Sequence, residues 1–290
     1  MRPSAPLLAG LVDDAALFPP GNAPMPVALA EHARYREAPW SAAIGPFLCP
    51  ASRIDELMAQ LPADQDIRVA LVNDVTDAAA LHARGAALRM SGLAWLETRH
   101  DRLGEDPDAV AGGPGRNAAA PFAYLEVPRT GFDAALDHVG DTRSFQAAKY
   151  RTGGVTPDAF PTERELAAFL VACAARGVPF KLTAGLHHAV RGHDPVTGGT
   201  THGVLNVVAA VDALLAGADE RAVTALLEQT DGAALAELVS ALPSERRHAE
   251  RSAWASFGCC GVTDPLRELA VLGLVPHHDL VPPPIHQEVT

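Results

Sequence analysis

Residues 145–185 read FQAAKYRTGGVTPDAFPTERELAAFLVACAARGVPFKLTAG. The first run, FQAAKYR (145–151), is short, apolar and bounded by Gly153–Gly154, which predicts a buried strand. An amphipathic, Ala/Leu-rich stretch over 162–176 has helical spacing. A second apolar run, PFKLTAG (179–185), follows a Gly/Pro break. Strand, helix and strand in that order form the unit of a parallel sheet.

The same unit recurs in both directions. Strand-like runs occupy 7–14, 42–49, 67–74, 88–97, 121–127, 145–151, 179–185 and 252–258. Helix-like stretches lie between them at 26–38, 52–61, 76–84, 131–138, 162–176, 205–216 with 219–241, and 264–273. Eight strand–helix units in 290 residues predict an α/β fold, a (β/α)8 TIM barrel, as one domain over 1–290. An open doubly wound sheet is the competing architecture. The first strand is followed by no GxGxxG or GxxxxGK[ST], so the nucleotide-binding argument for it is missing. Two stretches break the rhythm. Residues 100–120 are Gly/Pro/Asp-rich and read as a loop, and 205–250 reads as a helical pair inserted between strands 7 and 8.

Composition narrows the function classes. The chain is 48% hydrophobic and carries a net charge of −12, with no basic run. Nucleic acid and anionic membranes are poor partners for such a surface, and a small-molecule substrate fits better; self-association into a homo-oligomer stays open. No apolar run approaches the length of a membrane span, and Asp13–Asp14 interrupt the N-terminal apolar patch, so a secretory signal is not expected. Four cysteines without a CxxC pair favour a reducing, cytoplasmic setting and no disulfide framework or Cys-based zinc site.

Lysine usage is the sharpest compositional signal. Of 23 basic residues only Lys149 and Lys181 are lysines. A coding bias toward Arg leaves lysine where a guanidinium cannot serve, and only the amine readily loses its proton to act as nucleophile or base. Both lysines fall near the C-terminal ends of neighbouring strands, where barrel enzymes carry their chemistry. Alternation puts Lys149 with Arg151 on one face, and Lys181 with Thr183 on one face of the next strand. With strands about 4.8 Å apart, two ammonium groups there would repel each other's protons. Acids at other strand ends, Glu97 and Glu126, supply a proton shuttle or, alternatively, a salt-bridge network.

The segments KYRTG (149–153) and KLTAGL (181–186) resemble the two lysine signatures of deoxyribose-phosphate aldolase and related class I aldolase barrels. The likeness spans residues 145–190. It implies a Schiff base on Lys149, tuned by Lys181, with no cofactor. Arg151 departs from that pattern, which has a small residue there. The chain as a whole resembles a bacterial family marked by LVDDAALFPP-, KxRTGG- and FKxTAGLHH-like segments, a likeness that implies no activity.

The resulting expectation is a lyase or aldolase-type enzyme acting on a small carbonyl compound. Lys149, Lys181, Glu126 and Glu97 are the catalytic candidates. Arg151, Thr152, Gly153, Thr183, His187, His188, Arg129 and Asp13 are the substrate-binding ones. Lys181→Arg is expected to be mild because it keeps the charge. Histidines 187, 188, 193 and 202 support a rival, a metal-dependent lyase, isomerase or hydrolase, although no HxH or HExxH spacing appears and no metal is expected. A non-catalytic binding barrel is the third reading. Cys259 precedes a predicted helix, but no histidine is tied to it by spacing.

Overall fold

The structure, a computed structural model, describes residues 5–61, 67–74, 93–99, 122–141, 147–194, 198–276 and 280. Strands β1 (Val12–Asp14), β2 (Ile44–Pro50), β3 (Val69–Val72) and β4 (Leu93–Arg99) are followed by β5 (Phe122–Glu126), β6 (Ala147–Arg151) and β7 (Phe180–Thr183). A short antiparallel pair, β8 (Gly192–His193) and β9 (Thr200–Thr201), precedes the last strand, β10 (Trp254–Cys259). The helices are α1 (Ala5–Leu8), α2 (Met25–Glu37), α3 (Ile54–Gln60), α4 (Asp133–Asp141) and α5 (Glu163–Arg176), then α6 (Val204–Leu215), α7 (Glu220–Glu228), α8 (Gly232–Ser240), α9 (Ser244–Ala253) and α10 (Thr263–Val271).

The protein is a mixed α/β fold on a curled parallel sheet. Strand order runs β1–β10–β7–β6–β5–β4–β3–β2, and β1 also pairs with β2, so the curl returns on itself. The seam is the thinnest part, because β1 has three residues and its register against β2 is irregular. Each described major strand overlaps a stretch expected from the sequence. The expected helix at 76–84 and loop at 100–120 lie outside the described residues, as does the tail pair His277–His278.

Period-two alternation sorts side chains between the two faces of the sheet. On β6, Ala148 and Tyr150 face the helices, and the Tyr150 ring stacks on Phe169 of α5 at 4.3 Å between centroids. Phe132 and Phe180 meet Phe169 edge-on, which adds to the area burial that fixes α5 on the sheet. Helix α5 starts where its sequence says: Thr162 and Glu165 form a reciprocal capping box, and Gly177 ends it in the left-handed region.

The glycines of the two lysine segments have a packing explanation. The backbone after β6 lies directly on the backbone after β7. A Cβ on Gly153 would sit 2.3 Å from the Ala184 carbonyl oxygen, and one on Gly185 would sit 2.4 Å from that of Thr152. Thr152 is fully buried, and its hydroxyl donates to the Thr183 carbonyl at 3.1 Å. Ala184 itself holds a φ of 64°, uncommon for a residue with a Cβ. Gly153→Ala is therefore expected to lower stability by about 1–3 kcal/mol through overpacking. Urea unfolding checks this, and an unchanged midpoint would show that the two backbones have room to part.

The insertion before β10 is four helices, α6 to α9, rather than a pair. Sequence periodicity runs through 219–241, but Asp231 accepts from the Ala234 amide and starts a new helix. Pro243 then separates α8 from α9. Asn206, buried in α6, ties this layer down: it accepts from the Arg191 amide and donates to the Leu226 and Gln229 carbonyls.

Glu250 on α9 is buried, and that burial, with the Asp212 carboxylate nearby, pushes its carboxyl up to about 8. In the unfolded chain a glutamate ionises near 4.3. The fold thus binds an extra proton between those values, and stability falls as pH rises through the window, by up to about 1.4 kcal/mol per pH unit. Thermal melts from pH 5 to 8 should show a steeper loss for the wild type than for Glu250→Gln. Parallel curves would rule the buried acid out as the cause.

Candidate functional site

The inner face of the sheet carries a polar set on β5, β6, β7, β10 and β1. In register, Glu126 lies beside Lys149, and Lys149 beside Lys181. All three are buried. Their neighbours on the same strands, Leu125, Tyr150 and Leu182, belong to the outer core, so alternation turns this trio inward.

Each lysine has its own carboxylate. Lys149 Nζ is 3.0 Å from Glu126 Oε2. Lys181 Nζ donates to Asp13 Oδ2 at 2.5 Å, and Ser256 Oγ donates to the same oxygen at 2.7 Å. The Tyr124 ring lies under Lys181, 5.5 Å from Nζ to centroid, a cation–π arrangement. Gly45 on β2 leaves room for the acid, because a Cβ there would fall 2.0 Å from Asp13 Oδ1. Lys181 and Asp13 are both fully enclosed, whereas Lys149 keeps 6% of its side chain open. Arg151, one turn of the alternation further out, is half-exposed and lies 3.5 Å from Glu126 Oε1.

Asp13 and Asp14, adjacent in the chain, part at β1. Asp13 goes inward to Lys181, while Asp14 meets His32 of α2 at 3.0 Å and accepts from the Ala16 amide. A single residue step along a strand changes the face, so only the first acid joins the lysines.

Other sequence candidates have different placements. Thr183 is buried on the inner face beyond Lys181, and Thr152 and Gly153 are engaged in the backbone contact between the two loops. Arg129 forms a two-point pair with Glu165 and donates to the Asp158 carbonyl, tying the loop after β5 to α5. That pairing holds the Glu165 carboxyl below the usual carboxylate range. The side chain of Glu97 lies outside the described residues.

The two adjacent histidines separate as well. His188 contacts Glu268 of α10 at 2.7 Å, and this raises the imidazole's affinity for its proton. The same carboxylate accepts from the Ala189 amide. His187 turns instead toward Asp264, Cys259 and Cys260. His202 is buried against the Pro161 carbonyl, and burial lowers its basicity. Among the described residues, no group of three His, Cys, Asp or Glu side chains is arranged to hold a metal ion. None of their helices is long and apolar enough to cross a membrane.

Sequence reasoning missed Tyr124, Asp264 and Glu268 as site components. Tyr124 was accessible to it, standing two residues before Glu126 on the same strand face. Asp264 and Glu268 had no such signal, because the loop that meets them lies far away in the chain.

The fold and inner face define a class: a mixed α/β protein whose curled parallel sheet encloses two lysine–carboxylate pairs on neighbouring strands. Comparison with protein-family models, with curated proteins and with solved structures returned no match for the chain.

Proposed function

We propose that the curled sheet is a complete (β/α)8 barrel and that the chain is a lyase of the aldolase type, acting on a small carbonyl compound through a Schiff base on Lys149. One observation carries the reading: the Glu126–Lys149–Lys181 row, with an acid 3.0 Å from the lysine that retains access and the second lysine sealed by Asp13. A Schiff base needs a neutral amine and a nearby group to take and return protons.

The steps follow from these positions. A substrate entering beside Lys149 displaces the remaining water. Loss of solvation disfavours a separated pair of charges, so the ammonium passes a proton to Glu126 and both groups become neutral. The free amine attacks the carbonyl carbon, and a proton passes from the nitrogen to the carbonyl oxygen to give a neutral carbinolamine. Glu126 protonates the departing hydroxyl, which leaves as water and generates the iminium. That cation draws the electron pair of the α,β carbon–carbon bond into an enamine as the β-hydroxyl gives its proton to Glu126 and becomes the released carbonyl. Glu126 then protonates the enamine, and water hydrolyses the resulting iminium to free the second product and Lys149. Lys181 stays a fixed positive charge held by Asp13 and Ser256, and it repels a second proton from Lys149. Arg151, half-exposed and oriented by Glu126, offers a planar guanidinium to a substrate carboxylate or phosphate.

The two lysines make the test clean. Borohydride reduction in the presence of a panel of small aldehydes and ketones, followed by peptide mass mapping, should place the substrate's mass on Lys149. Mass on Lys181 would reverse the roles of the pair. No adduct with any compound that the protein turns over would exclude the Schiff base. No adduct and no turnover, with saturable binding, would make the chain a binding barrel.

A further inference from the structure

A second reactive centre lies away from the lysines, at the end of β10. Cys260 directly follows that strand, His187 sits in the loop after β7, and Asp264 lies in the first turn of α10. His187 Nε2 is 3.6 Å from Cys260 Sγ, and its other ring nitrogen, Nδ1, is 3.3 Å from Asp264 Oδ2. Thiol, imidazole and carboxylate therefore stand in a row, with the histidine's two nitrogens facing the two partners. This is the order in which a carboxylate fixes the imidazole tautomer and the imidazole removes a thiol proton.

The surroundings support the same direction of proton movement. Cys259 Sγ approaches His187 Nδ1 at 3.6 Å and also contacts the Gly261 carbonyl. Cys259 is buried, and burial holds its thiol protonated. Among the described residues, the other ionisable neighbours include His188, occupied by Glu268, Arg267, which lies 3.4 Å from Asp264, and the Tyr35 phenol, which feels the Asp264 charge. The loop after β1 comes close to Cys260 at Gly21, where an added Cβ would fall 3.1 Å from Cys260 Cβ. Cys49, Cys173 and Cys259 are buried, whereas Cys260 is half-buried.

We propose that Cys260 is an activated nucleophilic thiol, a covalent-modification site for small α,β-unsaturated carbonyl compounds, with His187 as its proton relay and Asp264 as the positioning residue. The Cys260 proton moves to His187 Nε2. The thiolate then forms a carbon–sulfur bond to the β-carbon, and the carbon–carbon π pair shifts to the α-carbon as an enolate. The His187 imidazolium returns the proton to the α-carbon, so nothing leaves and no oxidant is consumed. The site is independent of Lys149.

N-ethylmaleimide, an unsaturated imide, is the probe, with labelling rates followed from pH 6 to 8 and the adduct located by peptide mass mapping. Accessibility alone would give a rate rising about tenfold per pH unit below the ordinary thiol value of about 8.5. The activated site should instead label Cys260 at a nearly pH-independent rate. His187→Gln should restore the steep slope and slow labelling at pH 6.5 by about five- to tenfold, the thiolate gain being partly offset by lower intrinsic nucleophilicity. Asp264→Asn should shift the profile in the same sense. Far-UV circular dichroism and protection of the three buried thiols establish that the variants are folded. The proposal is overturned by a wild-type slope of tenfold per unit that His187→Gln leaves unchanged, or by label on Cys259 instead. Were His187→Gln to unfold the protein, the wild-type slope alone would decide.

Discussion

Lys149→Arg is expected to abolish turnover of the carbonyl substrate, by on the order of 10⁴-fold or more in kcat, the scale of removing a covalent nucleophile. The substitution keeps a positive charge opposite Glu126, 3.0 Å away in the wild type, so the fold and the anion-binding character of the pocket should persist. What disappears is the amine, since a guanidinium cannot give up its proton to attack a carbonyl. Substrate binding by calorimetry, unfolding and kcat together separate the roles. Full activity in Lys149→Arg would end the Schiff-base mechanism and leave Lys149 as an electrostatic anchor. Glu126→Gln should keep binding but lower kcat by about 10²–10⁴-fold, the usual contribution of a proton-transfer group.

The second large effect concerns stability. Asp13→Ala should destabilise the protein by about 3–5 kcal/mol, because it removes the enclosed carboxylate to which Lys181 Nζ donates at 2.5 Å. A drop in Tm on the order of 10 °C corresponds to such a loss. The double variant Asp13→Ala Lys181→Met should recover much of it, since removing both charges also removes their desolvation cost. A double-mutant cycle in urea reads the coupling directly. If Asp13→Ala alone unfolds at the wild-type midpoint, Lys181 is not held by that acid. Burial also changes the outlook for Lys181→Arg. Charge conservation alone makes it mild, but the pocket around Lys181 is closed, and the longer, forked side chain would be overpacked.

Much of the molecule is legible in its residues one at a time. Apolar runs and Gly/Pro breaks give the strands and their order. Helical spacing over 162–176 gives α5, and its start at the Thr162–Glu165 capping box agrees. Rarity marks Lys149 and Lys181, and alternation sets Lys149 with Arg151 and Lys181 with Thr183 on one face of their strands. Helix boundaries within 204–253 are less legible, because Leu and Ala keep their helical spacing across breaks set by Asp231 and Pro243.

Partnership is what the sequence by itself leaves undecided. Periodicity states which face a side chain takes, never which distant segment covers that face. Lys181 is bonded to Asp13, 168 positions away, and Asp13 to Ser256, 243 positions away. Both pairings exist because β1 lies beside β10, an adjacency created where the sheet returns on itself. By spacing alone the lysine pair is two mutually repelling cations; the tertiary structure sets an acid beside each and keeps 6% of the Lys149 side chain exposed while Lys181 is fully enclosed. His187 and Cys260 are likewise 73 positions apart and meet because β7 and β10 are neighbours. Local composition and spacing determined the strands, the helices and the two unusual lysines. The packing of β1 beside β10 decided which charges are compensated, because only three-dimensional adjacency brings a counter-charge within reach of a group that burial has cut off from water.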